Sequence, residues 1–173
     1  HTQLVYSVYE NGMWSKPQPV WETETADFFF DSYVDNGQLY VVWQKSSVIA
    51  DGKDPLRLLE QVASNSEIAL AVWDDKSKSF GQQRYITSNN VVDMMPVVGV
   101  NNDEVFVAWI SNDQNNVFGT AGTNTLHKMN LTARDNSNII GATDQFVAEL
   151  SMSDDGLHVL YSVQNTDGTV DII

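Results

Sequence analysis

Three aspartates recur at matching places along the chain: Asp27 in Thr25-Ala-Asp27, Asp93 in Val91-Val-Asp93 and Asp144 in Ala142-Thr-Asp144. Each stands just before the first strand of a repeating unit. Units arranged about a common axis would bring the three carboxylates to one mouth. An acidic funnel of that kind would hold a cation or a network of sugar hydroxyls. The competing reading is local, because an aspartate at a strand start often accepts bonds from nearby backbone N–H groups in an Asx turn.

Other chemistries leave fainter marks. A glycosidase needs only two carboxyl groups roughly 5–10 Å apart, and with 23 acidic residues the sequence singles out no pair. Asp74-Asp75 and Asp51/Asp54 carry oxygen ligands suited to calcium, yet no D-x-D-x-D-G loop is present. Solvated loop charge is the better account of them. His127 and His158 are isolated, His1 is terminal and cysteine is absent, so zinc has no ligand set. No cofactor is expected, and calcium or any other cation is not indicated. Neither a Ser-His-Asp pattern nor a phosphate loop appears.

Aromatic residues offer stacking platforms for sugars. Trp43, Trp73 and Trp109 recur at repeat positions, which marks them as filler between units. Trp21 and the Phe28-Phe29-Phe30 run do not recur in this way. At least one of those rings is expected at the surface, with Trp21 the first choice for a ligand contact.

The elements that must position these residues are strands. Leu4–Tyr9 (LVYSVY), Leu39–Trp43 (LYVVW), Ile68–Trp73 (IALAVW) and Val105–Ile110 (VFVAWI) are short β-branched and aromatic runs. They are punctuated by ENG at 10–12, DNG at 35–37, NND at 101–103 and DDG at 154–156, which suit tight hairpins. One hairpin is written three times, as Phe30–Trp43, Pro96–Trp109 and, less closely, Glu149–Tyr161. Trp43 and Trp109 stand 66 residues apart, Trp109 and Tyr161 52 apart. Self-similarity at such a period is the mark of a propeller or another array of small sheets.

The fold class is therefore all-β: a β-propeller segment of about three four-stranded blades. The expected units are two outer strands at 3–21, a blade at 27–88, a blade at 93–142 and a truncated blade at 144–173. A short helix interrupts the first blade at about 54–63. Asp54 is placed to cap it, Pro55 suits the first turn, and Leu56, Leu58, Leu59 and Val62 follow at helical spacing. Closed propellers use roughly four to eight blades. Either further blades from a longer parent chain or a second copy in a homodimer would complete the ring. The start at His1 fits a processed or excised piece.

The formal net charge is −14, from 23 acidic and 9 basic residues. Such a surface repels phosphate backbones, so nucleic acid is excluded as a partner. No apolar run approaches the roughly 18 residues of a membrane span, so no membrane insertion is expected. Absence of cysteine removes disulfides and thiolate metal sites.

Several short stretches resemble the sialidase-like (BNR-type) β-propeller repeats of large secreted, multidomain surface proteins of Gram-positive bacteria. They are W-S-x-P-x-x-V at Trp14–Val20, D-x-x-P at Asp93–Pro96, the V-x-V-A-W type strands, and the helix followed by Ser66-Glu67-Ile68. A clear S-x-D-x-G-x-T-W box is missing, with only a trace at Ser153-Asp154-Asp155-Gly156. The resemblance implies a secreted or surface-attached protein. Sialidases hold their substrate carboxylate with three arginines at the channel mouth. Arg57, Arg84 and Arg134 here fall on the helix, an outer strand and a loop, so sialidase activity is not expected. The functional expectation is a non-catalytic scaffold or binding module with a glycan or protein ligand. The alternative is a fragment of a carbohydrate-active enzyme whose active site needs residues outside this chain.

Overall fold

A computed structural model describes residues 2–22, 24–48, 54–133 and 137–173. Among them the chain is all-β with one short helix, laid out as successive small antiparallel sheets. Strands β1 (Val5–Tyr6), β2 (Tyr9–Glu10), β3 (Met13–Trp14) and β4 (Gln18–Pro19) make one bent hairpin, with β1 on β4 and β2 on β3. The first full sheet runs through β5 (Ala26–Asp35), β6 (Gln38–Ser46) and β7 (Ser66–Asp74). Its outer edge is split into β8 (Ser79–Phe80) and β9 (Arg84–Tyr85), both paired with β7. The second holds β10 (Val92–Asn101), β11 (Glu104–Asn112), β12 (Asn124–Asn130) and β13 (Asn138–Thr143) in chain order. The third has β14 (Phe146–Met152), β15 (Val159–Gln164) and β16 (Val170–Ile172).

Local chemistry explains the hairpins. Glu10↔Met13, Asp35↔Gln38 and Asn101↔Glu104 are register partners, leaving two-residue loops at Asn11-Gly12, Asn36-Gly37 and Asn102-Asp103. All six loop residues have positive φ, between 46° and 83°. That is the geometry of a type I′ turn, whose twist matches the flanking strands and which Asn, Asp and Gly tolerate best. The helix α1 (Pro55–Ala63) sits between β6 and β7. The Leu58 N–H donates to the Asp54 carbonyl at 2.9 Å, and the Arg57 N–H reaches the Asp54 carboxylate at 3.4 Å.

The sheets stack face on face, and three apolar layers fill the gaps. Between the N-terminal hairpin and the first sheet lie Val20, Val41, Trp43, Ala69 and Ala71. Between the first and second sheets lie Val42, Ile68, Leu70, Val98, Val107 and Trp109. Between the second and third lie Val97, Ala108, Ile110, Leu126, Leu150 and Val163. Neighbouring residues of one strand therefore enter opposite layers: Val42 one way, Val41 and Trp43 the other. This is why the strands read as continuous apolar runs rather than alternating ones. Each buried Val, Leu or Ile in these layers contributes roughly 1.5–3 kcal/mol.

The second and third sheets approach closely at Gly99 on β10. A Cβ built there would lie 2.8 Å from the Gly156 Cα and 2.8 Å from the Ser153 carbonyl oxygen. Both are backbone atoms and have no rotamer with which to retreat. Gly99→Ala should lower stability by about 1–3 kcal/mol through overpacking. Urea unfolding would register this as a lower midpoint at unchanged slope; an unmoved midpoint contradicts the contact.

Candidate functional site

Asp27 and Asp93 occupy one structural position in successive sheets. Each begins the innermost strand, and each carboxylate accepts the indole N–H of a tryptophan sixteen residues on. Trp43 Nε1 donates to Asp27 Oδ1 at 3.0 Å, and Trp109 Nε1 donates to Asp93 Oδ1 at 2.9 Å. Both carboxylates are buried and point toward the preceding sheet. Asp27 Oδ2 takes the Leu4 N–H from the N-terminal hairpin at 2.9 Å. Asp93 Oδ2 takes the Asn89 amide from the connection after β9 at 2.8 Å. Each clamp thus ties a sheet to its predecessor.

The two clamps differ in charge. Lys45, opposite Asp27 across β6, places its Nζ 2.9 Å from Oδ1, with both side chains almost fully buried. In the second sheet Ser111 stands opposite Asp93, and no cation replaces Lys45. Burial pushes the Asp93 carboxyl up to about 7, and the nearby Glu67 charge adds to the rise, while the Asn89 and Trp109 donors oppose it. Ser111 instead pairs with His127 Nε2 at 2.8 Å, and the His127 ring stacks on Trp109 at 5.2 Å. Burial holds His127 below the ordinary imidazole range, and its Nδ1 has no partner. These groups, with Thr87 and Asn89, line a cavity of about 220 Å³.

Asp144 is placed differently. In the third sheet Phe146↔Gln164 is the register pair that corresponds to Asp27↔Lys45 and Asp93↔Ser111. Ser162 falls where Trp43 and Trp109 stand, so the third sheet has no clamp. Asp144 lies exposed in the turn before β14 and accepts the Thr123 hydroxyl at 2.9 Å. The three aspartates therefore do not share one environment. Trp21 is 38% exposed in the bend after β4 and does not border the groove formed by β5, β10 and β14. Asp74 ends β7 and Asp75 opens the turn after it, where they accept bonds from Lys76 N–H, Trp73 Nε1 and Lys78 Nζ. His1, Asp51 and Arg134 lie outside the described residues. Among those described, no three His, Asp or Glu side chains are grouped to hold a metal.

A larger concavity lies elsewhere, where β5, β10 and β14 face one another. It is a groove of about 620 Å³ bordered by Phe29 and Phe30, by Asp31 and Tyr33, and by Glu149 and Asp154. Phe29 and Phe30 are each 62% exposed. Asp31 bridges two sheets: its Oδ2 accepts the Val98 N–H at 2.9 Å, while Oδ1 accepts the Ser32 N–H. Burial, together with the charges of Asp154, Asp35 and Asp155, raises the Tyr33 phenol. Among the described residues neither a lysine nor an arginine borders the groove, and Arg57 and Arg84 lie on α1 and β9.

A bulge shapes the mouth of the groove. The ladder slips between Phe28 and Phe30 on β5 and between Met94 and Val97 on β10. Phe29 and Met95 sit at these slips with φ of 21° and 53°, a rare conformation for bulky residues. Both border a second, mostly apolar pocket of about 420 Å³, walled by Val117, Phe118, Phe146 and Val147. From sequence, at least one ring among Trp21 and the Phe28-Phe29-Phe30 run is expected at the surface, and Glu149 and Asp154 stand out only as parts of the third hairpin and its turn. Only the packing of three separate strands brings them together.

No family model and no curated protein matches the sequence. Among solved structures the chain is similar to the Dos1 propeller, at 12% identity and a TM-score of 0.47, over 97% of this chain and 38% of that one. The chain thus spans well under half the length of that propeller.

Folded protein keeps Asp93 protonated up to about pH 7, whereas the unfolded chain releases that proton near pH 4. Stability should therefore fall as pH rises through this window, by up to about 1.4 kcal/mol per unit from this group. Asp93→Asn should remove that component in urea unfolding at a series of pH values; an identical slope contradicts the assignment. Ser111→Lys should recreate the pair of the first sheet. Its gain in stability should be larger at pH 8 than at pH 5, and a loss at both would count against the equivalence of the two sites.

Proposed function

We propose that this chain is a β-propeller segment serving as a non-catalytic binding module, with the groove across β5, β10 and β14 as its ligand face. The observation that carries the reading is the combination of exposed rings and carboxylates on one concave surface. Phe29 and Phe30 present flat apolar faces beside Asp31, Glu149 and Asp154, a set that suits a glycan or a protein ligand. Asp27 and Asp93, by contrast, already spend their oxygens on tryptophan and backbone or amide donors. They support the sheets beneath the ligand face.

Large apolar side chains stand exposed at both outer units: Met13 and Trp14 at 72% and 70%, Ile172 and Ile173 at 77% and 59%. This favours further sheets on either side, from a longer parent chain or from a second copy. A secreted or surface-attached bacterial protein fits the acidic, cysteine-free composition. A fragment of a carbohydrate-active enzyme is the alternative, favoured by carboxylates that reach one groove from β5, from β14 and from the turn after β14. In that case a longer parent would turn over an aryl glycoside and this chain would not.

A glycan array and a panel of labelled peptides, probed with the chain and with a Phe30→Ser/Glu149→Gln variant, test the ligand face. Any ligand found should bind the variant at least about tenfold more weakly, or roughly 1.4 kcal/mol. Ligands that bind both proteins equally place the site outside the groove. Light scattering coupled to size exclusion reports on the second copy: a stable dimer supports ring completion by self-association, and a clean monomer rejects it.

A further inference from the structure

The ligand face carries charge of one sign only. Among the described residues Asp31, Glu149 and Asp154 border the groove and no lysine or arginine does, and the chain as a whole carries a formal −14. Glu149 and Asp154 are exposed. A concave wall of one sign concentrates oppositely charged groups and repels like ones.

The adjoining pocket has the opposite character. Met94, Met95, Val117, Phe118, Phe146 and Val147 make its wall mostly apolar, and it shares Phe29 and Met95 with the groove. Methionine and phenylalanine together make an adaptable apolar seat. Phe118, on the loop between β11 and β12, is 61% exposed at its rim.

That loop is held in place. Asn112 and Asn124 are completely buried and bonded to each other at 2.9 Å. Asn112 Oδ1 accepts the Gln114 and Asn116 N–H groups, and its amide donates to the Ala121 carbonyl. The Asn124 amide donates to the Gly119 carbonyl at 2.8 Å and to the Gln145 carbonyl at 2.9 Å, fastening the loop to the start of the third sheet. The apolar seat is thereby built before any ligand arrives, which lowers the ordering cost of binding.

We infer that the ligand of this face is a cationic polypeptide segment that places one large apolar side chain in the Phe118 pocket and lysines or arginines along the Asp31–Glu149–Asp154 groove. The inference rests on the groove being the ligand face and adds the chemical class of what it takes. Charge complementarity selects a basic partner, and the pocket beside the groove sets one apolar anchor next to the basic residues. A neutral glycan would satisfy the carboxylates but has no group for the apolar seat.

Fluorescence anisotropy with a labelled peptide, one phenylalanine flanked by lysines, tests this directly. Two companion peptides replace the lysines with glutamate or the phenylalanine with serine, and a neutral glucan oligosaccharide is tested alongside. The first peptide should bind and weaken as salt is raised. The glutamate peptide should not bind, and the serine peptide should bind at least about tenfold more weakly. Phe118→Ser, and separately Glu149→Gln/Asp154→Asn, should each cost about tenfold, with unfolding midpoints unchanged because all three side chains are exposed. Absence of binding by the basic peptide overturns the inference, as does equal binding of the glutamate peptide or indifference to both variants. An oligosaccharide that binds while the basic peptide does not, and is lost in Phe30→Ser/Glu149→Gln, overturns the cationic class and leaves the groove as ligand face. If no probe responds to any groove variant, both readings fall.

Discussion

A small antiparallel sheet with two apolar faces cannot exist alone in water, and the architecture of this chain follows from that constraint. Both faces of the first and second sheets are covered, one by the preceding unit and one by the next. Stacking of this kind turns each innermost strand toward a common side. The concave face is therefore a consequence of burying the flat faces, since β5, β10 and β14 are the edges left over when the sheets pack. Their spare backbone donors are partly met from within: Val98 N–H by Asp31, and Val100 N–H by the Asp154 carbonyl at 3.3 Å.

Tryptophan in such a layer brings an indole N–H that must find an acceptor once water is excluded. The aspartate at the start of the innermost strand supplies it in two sheets, and in doing so creates a buried charge. The two copies meet that charge in different ways. Lys45 neutralises Asp27 by ion pairing, whereas Asp93 has only neutral donors and shifts toward its protonated form. One repeat position thus shows both routes by which a folded protein accommodates a buried carboxylate.

Much of this was legible beforehand. Alternation of turn residues with β-branched runs places the hairpins, because Asn and Gly at positive φ leave few other conformations. Asp54 and Pro55 announce the helix. The identity of the third copy was less legible: its strands keep the same register span, yet Asp144 stands two residues ahead of the place that matches Asp27 and Asp93, which Phe146 holds. Hydrogen-bond register is a property of paired strands, and no single strand displays it.

Composition and local pattern therefore determined the all-β class, the tight turns, the inserted helix and the recurrence of aspartate and tryptophan at a fixed separation. Tertiary structure alone decided what those residues do. Depth of burial turned Asp27 and Asp93 into clamps, since a carboxylate inside a layer is claimed by the nearest donors. Convergence of three strands far apart in the chain made a single groove from Phe29, Asp31, Glu149 and Asp154. Their proximity arises from sheets packing about a shared side, a relation between distant segments that no short stretch of sequence encodes.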